Sequence, residues 1–418
     1  MAEELTAAPL IANDAVVLGI LMAILGFVFW SSHSDKPFWR KFYTYVPALL
    51  LCYFLPSVVA SLGIISGDVS KLYFVSSRYL LPTSLVLLTL SIDFAGIRRL
   101  GFKAVALFFT GTLGIVIGGP IALLLGGFLM PESIGAVDDI WRGMTTVAGS
   151  WIGGGANQTA MKEIWNVDDR LFSSMVAVDV IVANVWMAVL LYAAGRSKEI
   201  DARTGADTSA IEALRKKMED YQLQHSRIPT LNDLMLVLAV GFGATAVGHL
   251  VADIVAPAIE SAAPQLSRFS LTSKFFWLVV VTTTLGMVLS TTRARRLEGV
   301  GASRVGSALL YVLVASIGMK MDITAVAKSP ELFAVGAIWM TVHASLMILV
   351  AKALKAPVFF MAVGSQANVG GAASAPVVAS AFHPALAPVG VLLAVLGYAV
   401  GTYAAWFCGI VMQYVAAM

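Results

Sequence analysis

Long apolar stretches alternate with short polar ones along nearly the whole chain. Twelve apolar segments can be drawn, and most have the ~20 residues that a helix needs to cross about 30 Å of hydrocarbon. The pattern therefore predicts an all-α polytopic membrane protein. The segments cover residues 15–31, 44–62, 73–93, 103–129, 141–165 and 171–194, then 231–257, 275–291, 304–322, 332–353, 357–381 and 386–416.

A polar linker at residues 195–229 separates two sets of six segments. We therefore expect a first membrane repeat at 1–194 and a second at 230–418. Within the linker, Ser209 and Glu212 form a capping-box pattern, and apolar residues then recur at helical spacing. This predicts a short amphipathic helix on the membrane surface that connects the halves, carried by Ile211, Leu214, Met218 and Tyr221.

The two halves carry matched glycine-rich segments. Val147–Ala156 aligns with Val363–Ala372 with small gaps, and in each a Gly-Ser pair precedes a Gly-Gly-Ala step. The third segment of each half also ends alike, since one ends in Asp93 and the other in Asp322. Because these matches occur in the same order in both halves, they indicate an internal repeat.

Charge placement predicts the topology. By the positive-inside rule, basic loops should lie in the cytoplasm, whereas the acidic loop at 131–139 should face out. This requires residues 141–165 to dip in and return on the outer side, and residues 357–381 to do so from the cytoplasm. The basic stretches are the linker and the loops near Lys36, Arg98, Arg293 and Lys352.

Parity then predicts the symmetry of the repeats. Five full crossings and one re-entrant segment in each half make the second half inverted relative to the first. The N-terminus is then outside, and the two hairpins meet near the midplane. The alternative is twelve full crossings, which gives parallel repeats and an external linker.

The glycine-rich breaks favour a binding site. A break inside the membrane exposes backbone groups, each costing several kcal/mol in hydrocarbon unless protein, water or a ligand satisfies it. Half-helix N-termini can hold an anion, and half-helix C-termini with free carbonyls can hold Na⁺. The alternative is that small residues only permit tight helix packing. Two matched runs with polar neighbours favour the site, the neighbours being Ser150, Asn157, Gln158, Thr159, Ser365, Gln366, Asn368 and Ser374.

Asp179 lies inside the sixth segment, where a charge is costly. We interpret it as a cation ligand or a proton carrier, and the alternative is an ion pair with Arg78 or Lys320. The tentative coupling ion is Na⁺, for which the predicted ligands are Asp179, Asn184, Gly153 and Gly370.

Other charged residues are weaker candidates. Asp93 and Asp322 end their segments and are interpreted as interfacial caps rather than ion ligands. His249 and His343 are interpreted as packing residues, because a lone histidine in an apolar segment is more often hydrogen-bonded inside the fold. Asp253 and His343 stay open as alternative proton carriers.

Composition excludes several classes of function. The chain has 418 residues, of which 58% are hydrophobic and 13% charged, too few charges to cover a soluble protein of this size. A net charge of +3 does not suggest nucleic acid. No phosphate-binding loop of the G-x-x-x-x-G-K-[ST] type and no H-E-x-x-H motif occurs, so ATP-driven pumping and an enzyme are not expected.

The segments Gly149–Ala160 and Gly364–Pro376 resemble the paired motifs of YjcL-like bacterial membrane proteins, a domain-of-unknown-function family. The plan is more distantly similar to sodium–citrate, sodium–glutamate and bile-acid symporters. That similarity implies scaffold and transport domains, an elevator mechanism, a homodimer and a bacterial inner-membrane location. It also implies substrate contacts from Ser150, Gly154, Asn157, Gln158, Ser365, Gln366, Asn368, Gly371 and Ser374.

The resulting hypothesis is a Na⁺-coupled symporter of a small anionic or zwitterionic organic solute, such as an amino acid, a short peptide or a carboxylate. A proton-coupled exporter or antiporter on the same scaffold is the first alternative. A channel is the second. The expected partners are the solute and the lipid bilayer.

Overall fold

The computed structural model describes residues 9–46, 48–129, 140–206, 211, 229–321, 330–383 and 386–417. These residues form helices and no strand. The first half contains α1 (Asp14–Ser32), α2 (Pro37–Tyr45), α3 (Ala48–Ser61), α4 (Leu72–Val75), a π-helical turn (Ser76–Leu80), α5 (Leu81–Leu90), α6 (Phe94–Arg99), α7 (Phe102–Leu129), α8 (Ile140–Ile164), α9 (Asp169–Gly195) and α10 (Ser197–Thr204). The second half contains α11 (Leu231–Ala262), a 3₁₀ turn (Pro264–Phe269), α12 (Lys274–Ser290), another 3₁₀ turn (Arg293–Val300), α13 (Ala302–Gly318), α14 (Glu331–Ala353), α15 (Val358–Val369), α16 (Gly371–Phe382) and α17 (Ala387–Ala416).

The helices confirm the predicted all-α polytopic membrane fold. Among the described residues, six helices are long and apolar enough to cross a membrane, or up to eight if each of two bent pairs is one span. Five crossings in each half also require the shorter α13 and the run from α4 to α5 to cross. Three predicted features lie outside the described residues: the acidic loop at 131–139, the cap at Asp322 and, apart from Ile211, the amphipathic linker helix.

Local capping explains where several helices begin. Thr230 and Asp233 form a capping box at the start of α11, each side chain bonding the other's backbone N–H. Asp168 accepts from the backbone N–H groups of Arg170 and Leu171 at the start of α9. These bonds satisfy N–H groups that have no partner within the helix.

Helix α8 is a hairpin and not a straight rod. The rings of Trp141 and Trp165, near its two ends, are 5.1 Å apart, and Arg142 donates to the Trp165 carbonyl oxygen at 3.0 Å. A straight helix would separate these residues by about 36 Å. The chain turns back at Gly154, the one described residue inside α8 with non-helical φ/ψ. We call this pair of arms hairpin 1.

Helices α15 and α16 form the second hairpin. The rings of Phe359 and Phe382, at the far ends of the two helices, are 5.2 Å apart in an edge-on arrangement. The chain reverses at Gly370 and Gly371. We call this pair hairpin 2. Both glycine-rich segments are thus hairpins that return to the end from which they started, as the charge pattern predicts.

The long helix α17 shows that the hairpins enter from opposite ends. Near its start, Gly390 packs directly against Ala375, in the second arm of hairpin 2. The approach is so close that a Cβ atom built on this glycine would lie 2.5 Å from the Ala375 backbone. Near the other end of α17, one placed on Gly409 would lie 2.9 Å from the Trp165 ring, at the base of hairpin 1. The order along α17 therefore runs from hairpin 2 to hairpin 1, which is the arrangement expected of inverted repeats.

The helices sort into two groups that pack mainly within themselves. We call the first group the scaffold, and it contains α1, α3, the run from α4 through the π-helical turn to α5, and α11, α12 and α13. We call the second group the core, and it contains both hairpins with α7, α9, α14 and α17. Each group takes equivalent segments from the two halves, so the internal repeat generates both groups.

Candidate functional site

The tips of the two hairpins meet beside the middle of α17. A Cβ placed on Gly397 would lie 2.5 Å from the Ile152 carbonyl oxygen and 3.6 Å from the Ala367 carbonyl oxygen. These residues precede the turn of hairpin 1 and hairpin 2 respectively. Only glycine allows α17 to approach both tips this closely. Two sets of backbone carbonyls are thus brought together inside the core.

Glycine is required at both turns by the backbone itself. Gly154 has φ 75° and ψ −176°, a region that is essentially open to glycine alone. Gly371 has φ 57°, in the left-handed region. Each turn leaves the first N–H groups of the following arm without helical partners. The structure places Gly154 and Gly371 at the tips of the two hairpins, and their predicted contact with the solute stays a prediction.

Asp179 of α9 joins the two arms of hairpin 1. The Ser150 hydroxyl donates to Asp179 Oδ2 at 2.7 Å, and the Gln158 amide donates to the same oxygen at 2.9 Å. The Asp179 side chain is buried. Neither bond uses Oδ1, and both donors are neutral. The structure thus brings together three residues predicted for the site, with a buried carboxylate at their centre.

Asn157 holds the tip of hairpin 1 against α17. Its amide donates to the Gly153 carbonyl at 2.9 Å and to the Tyr398 carbonyl at 3.2 Å, and its Oδ1 accepts from the Thr402 hydroxyl at 2.6 Å. The side chain is fully buried. These bonds tie the tip of hairpin 1 to α17, and we call this arrangement a clamp.

Asn368 repeats this pattern in hairpin 2. Its amide donates to the Gly364 and Phe108 carbonyls, both at 2.9 Å, and its Oδ1 accepts from the Thr112 hydroxyl at 2.7 Å. In each clamp the supporting helix supplies an aromatic residue's carbonyl and a threonine four residues later. Thr112 and Thr402 were not found from the sequence, because their pairing with the asparagines exists only in three dimensions.

Ser365 lies in a network behind hairpin 2. His343 Nε2 is 2.7 Å from the Ser365 hydroxyl, which also accepts from Trp186 Nε1 at 2.8 Å. His343 Nδ1 is 3.1 Å from the Gly111 carbonyl oxygen. The network links α7, α9, α14 and hairpin 2. His343 is therefore a hydrogen-bonded packing residue, as expected from the sequence.

Gln366 lies across the turn of hairpin 2. Its Nε2 donates to the Ser374 hydroxyl at 2.7 Å, and a Cβ on Gly370 would collide with both side chains. Gln366 is 1% exposed, yet its Oε1 has no hydrogen-bond partner among the described residues. A buried oxygen without a partner is costly, which makes this atom a candidate for ligand contact.

Other predicted residues lie apart from this cluster. The Asn184 amide donates to the Val180 carbonyl of its own helix at 2.6 Å, and it is not hydrogen-bonded to Asp179. Asp93 caps α6 through Gly96 and pairs with Arg295 at 2.6 Å, which confirms its interpretation as a cap. The described residues include no group of three or more His, Cys, Asp or Glu side chains suited to a metal. A Na⁺ site built from one carboxylate and carbonyls would not contain such a group.

A cavity of about 2500 Å³ separates part of the scaffold from the core. Phe29 and Tyr311 line it on the scaffold side, and Ala372 and Tyr398 line it on the core side. Ala372 follows the turn of hairpin 2, and a Cβ on Gly154 would lie 3.5 Å from the Tyr398 ring. The cavity therefore reaches hairpin 2 at Ala372, and the Tyr398 side chain lies between it and the tip of hairpin 1. The charged residues that line the cavity are four arginines and three acids, namely Arg293, Arg295, Arg296, Arg304, Asp93, Asp233 and Glu298.

At the opposite end, a network of charges joins scaffold and core. Arg78, in the π-helical turn, pairs with Glu163 of hairpin 1 at 2.7 Å, and the Tyr73 hydroxyl donates to the same carboxylate. Lys162 pairs with Asp169 at 2.7 Å. Lys320 lies 3.5 Å from Asp169 and 3.9 Å from Asp68. The alternative interpretation of Asp179 as an ion pair with Arg78 or Lys320 is wrong: in the described part of the chain these bases pair with Glu163, Asp169 and Asp68, while Asp179 accepts from Ser150 and Gln158.

Comparison with known families adds one match. The profile of the family described as "Protein of unknown function (DUF819)" matches residues 19–415. The chain belongs to the DUF819 family. The match confirms the expected family of unknown function, whereas the more distant similarity to sodium-coupled symporters stays a prediction. No curated protein matches the chain.

Proposed function

We propose that this DUF819 protein is a secondary active transporter that moves a small anionic or zwitterionic organic solute together with Na⁺. The solute would be an amino acid, a short peptide or a carboxylate. The core would carry it across the bilayer past the scaffold, as an elevator. The protein would lie in the bacterial inner membrane with its N-terminus outside and the 195–229 linker in the cytoplasm.

The observation that carries this proposal is the meeting of two oppositely entering hairpins at Gly397. Broken helices persist in hydrocarbon only where protein, water or a ligand satisfies the backbone. Opposed half-helices supply both N–H donors and carbonyl acceptors at one place, which suits an anionic group and a cation together. The buried Oε1 of Gln366, which has no hydrogen-bond partner in the described part of the chain, adds an acceptor at the same tips.

The cavity supports the elevator. It lies between scaffold and core, and its lining runs from four arginines and three acids to Ala372 of hairpin 2 and Tyr398 of α17. Basic ends face the cytoplasm by the positive-inside rule. The cavity would thus be the cytoplasmic route to the site, with the core in its inward position.

Asp179 is the proposed coupling residue. Ser150 and Gln158 fix its Oδ2, which leaves Oδ1 outside that pair of bonds. Its carboxylate, the Ser150 hydroxyl and the tip carbonyls are oxygen ligands of the kind that hold a coupling cation in broken-helix transporters. Na⁺ would supply the charge that balances the buried carboxylate.

The test is solute uptake by proteoliposomes containing the full chain. A pool of candidate amino acids and carboxylates is presented with an inward Na⁺ gradient, and with choline in place of Na⁺ as the control. Accumulation that requires the Na⁺ gradient is expected. Accumulation that is equal in choline would exclude Na⁺ coupling.

Proton coupling is the second candidate, and Asp179 itself favours it. A buried carboxylate whose hydrogen-bond donors are both neutral can take up and release a proton. Transport driven by a pH gradient without Na⁺, and lost in Asp179→Asn, would select this mechanism. The homodimer implied by the resemblance stays a prediction, which the mass of the detergent-solubilised protein tests.

A further inference from the structure

The charged network at the end opposite the cavity links the two helix groups directly. Arg78 belongs to the scaffold, where its carbonyl oxygen lies 2.9 Å from His249 Nε2 and its guanidinium lies 4.5 Å from the centre of the Phe275 ring. Glu163 belongs to hairpin 1 of the core. Their 2.7 Å ion pair therefore crosses the boundary that an elevator must slide along.

The pair is partly withdrawn from water. The Arg78 side chain is 30% exposed and that of Glu163 is 11% exposed. Tyr73, also in the scaffold, donates to the Glu163 carboxylate, and its hydroxyl accepts from Lys162 at 3.1 Å. Ion pairs with low exposure and added hydrogen bonds are stronger than exposed ones.

The scaffold helices show that network and cavity lie at opposite ends. Arg78 and Asp93 bracket α5, and Asp93 lines the cavity. Arg304 lies in the first turn of α13, at the cavity, and Lys320 lies just after the end of that helix. About 15 residues of helix separate the members of each couple, or roughly 22 Å. Scaffold and core are thus separated by the cavity at one end and joined by ion pairs at the other.

We propose that the Arg78–Glu163 ion pair is a lock that holds the core in the position open to the cavity and must break before the site opens at the other end. This rests on the elevator proposed above. The π-helical turn supports the assignment, because such turns occur frequently at functional sites, and this one carries Arg78. When the pair breaks, Glu163 and Arg78 must each be hydrated, which adds a barrier to outward movement.

The test measures access to the hairpin 1 tip in membrane vesicles of both orientations. Gly155→Cys places a thiol where a Cβ would meet nothing closer than Leu310 Cδ2 of the scaffold, at 4.0 Å. The parent chain is the labelling background, since its cysteines, Cys52 and Cys408, are buried. The probe is a membrane-impermeant maleimide, and its labelling rate is read by mass spectrometry.

In the Gly155→Cys chain, Arg78→Gln and Glu163→Gln should each raise labelling from the non-basic side by about tenfold. Labelling from the basic side should fall or stay constant. The double substitution should equal either single one, because both act through one pair. Lys274→Gln is the matched control, since it breaks a 2.7 Å pair with Asp253 that lies wholly within the scaffold. It should change nothing.

Three results would overturn the lock. If the labelling rates after both substitutions stay within twofold of that of the Gly155→Cys chain, the lock is refuted, while labelling of that chain from both sides still supports alternating access. Equal increases from both sides, or effects that multiply in the double variant, indicate general loosening. A thiol that labels only from the basic side in every variant refutes the lock and also counts against the elevator.

Discussion

Replacing Asp179 by asparagine separates its structural role from a role in ion coupling. The aspartate accepts from Ser150 and Gln158 through one oxygen. Asparagine has the same shape and keeps an acceptor oxygen, so both donors can stay paired. Alanine removes the acceptor and leaves two buried donors alone. The two substitutions therefore differ in structure, whereas both remove the charge.

The expected stability changes follow from these bonds. Leaving a buried donor unpaired costs about 1–3 kcal/mol, so Asp179→Ala should destabilise the protein by about 2–6 kcal/mol. Hydrogen bonds to a charged group contribute about 1.5–3 kcal/mol and neutral ones about 1 kcal/mol. Asp179→Asn should thus lose about 2 kcal/mol over two bonds, partly offset because no charge is buried.

The coupling role is read from the response to Na⁺. If Na⁺ binds with a Kd of about 10 mM, then 100 mM Na⁺ stabilises the folded protein by about 1.4 kcal/mol. For a chain of this length that raises the Tm by about 2 °C. The assay is thermal unfolding in detergent with NaCl or choline chloride at equal concentration. Wild type should shift and Asp179→Asn should not.

An unchanged Na⁺ response in Asp179→Asn would refute the assignment of Asp179 as the coupling residue. Asn184→Ala is the control on the same helix, since its amide bonds only its own helix among the described residues. It should keep the full response. A wild-type Tm that is the same in NaCl and choline would instead count against Na⁺ coupling itself.

Three further predictions address the hairpins and the linker. Gln366→Leu should change the free energy of unfolding by no more than about 1 kcal/mol, because it loses one hydrogen bond and also removes a buried oxygen that has no partner among the described residues. Solute uptake should fall at least about tenfold, and unchanged uptake would exclude Gln366 from the site. Gly154→Ala should cost about 1–3 kcal/mol, measured as a lower Tm, because alanine is strained at φ 75°; a Tm equal to wild type would contradict that backbone. Asp201 accepts from the Val358 N–H at the start of hairpin 2, and burial raises the pKa of the Asp201 carboxyl. The stability that this carboxyl contributes is therefore present below its pKa in the unfolded chain, and it is lost as the pH rises through its pKa in the folded protein. The Tm of wild type relative to Asp201→Asn should therefore fall as pH rises from about 4 to 7, and a constant difference would refute this.

The sequence predicts the helices and the hairpins because those features depend on local pattern and on charge. Apolar run length sets the segments, and their ends agree with the structure to within a few residues in most cases. The hairpins followed from the sidedness of basic loops, which constrains how many times the chain can cross. Neither inference needed knowledge of contacts between distant segments.

Contacts across the core could not be predicted in the same way. The sequence marks Asn157 and Asn368 as polar residues in apolar segments, but their partners Thr402 and Thr112 are separated from them by 245 and 256 residues. The ion network could be predicted only in part. Arg78 in an apolar segment requires an acid, and Asp179 is the one acid considered for that role from the sequence. The partner is Glu163, which comes within reach of Arg78 because hairpin 1 returns to its starting end.

The hydrogen bonds of the core argue for movement as a unit. Asn157, Asn368 and Ser365 are bonded to neighbouring core helices by pairs that would be left unsatisfied if a hairpin opened alone. Breaking a clamp would leave several buried groups unpaired, at about 1–3 kcal/mol each. The boundary with the scaffold contains a cavity at one end and the Arg78–Glu163 pair at the other, and it is also crossed by hydrogen bonds. These bonds include Ser270 to the Ile164 carbonyl, Thr284 with Tyr403, and Trp406 to the Phe269 carbonyl. Opening either hairpin alone would break a clamp inside the core, which favours movement of the core as a unit over a channel with a hinged gate.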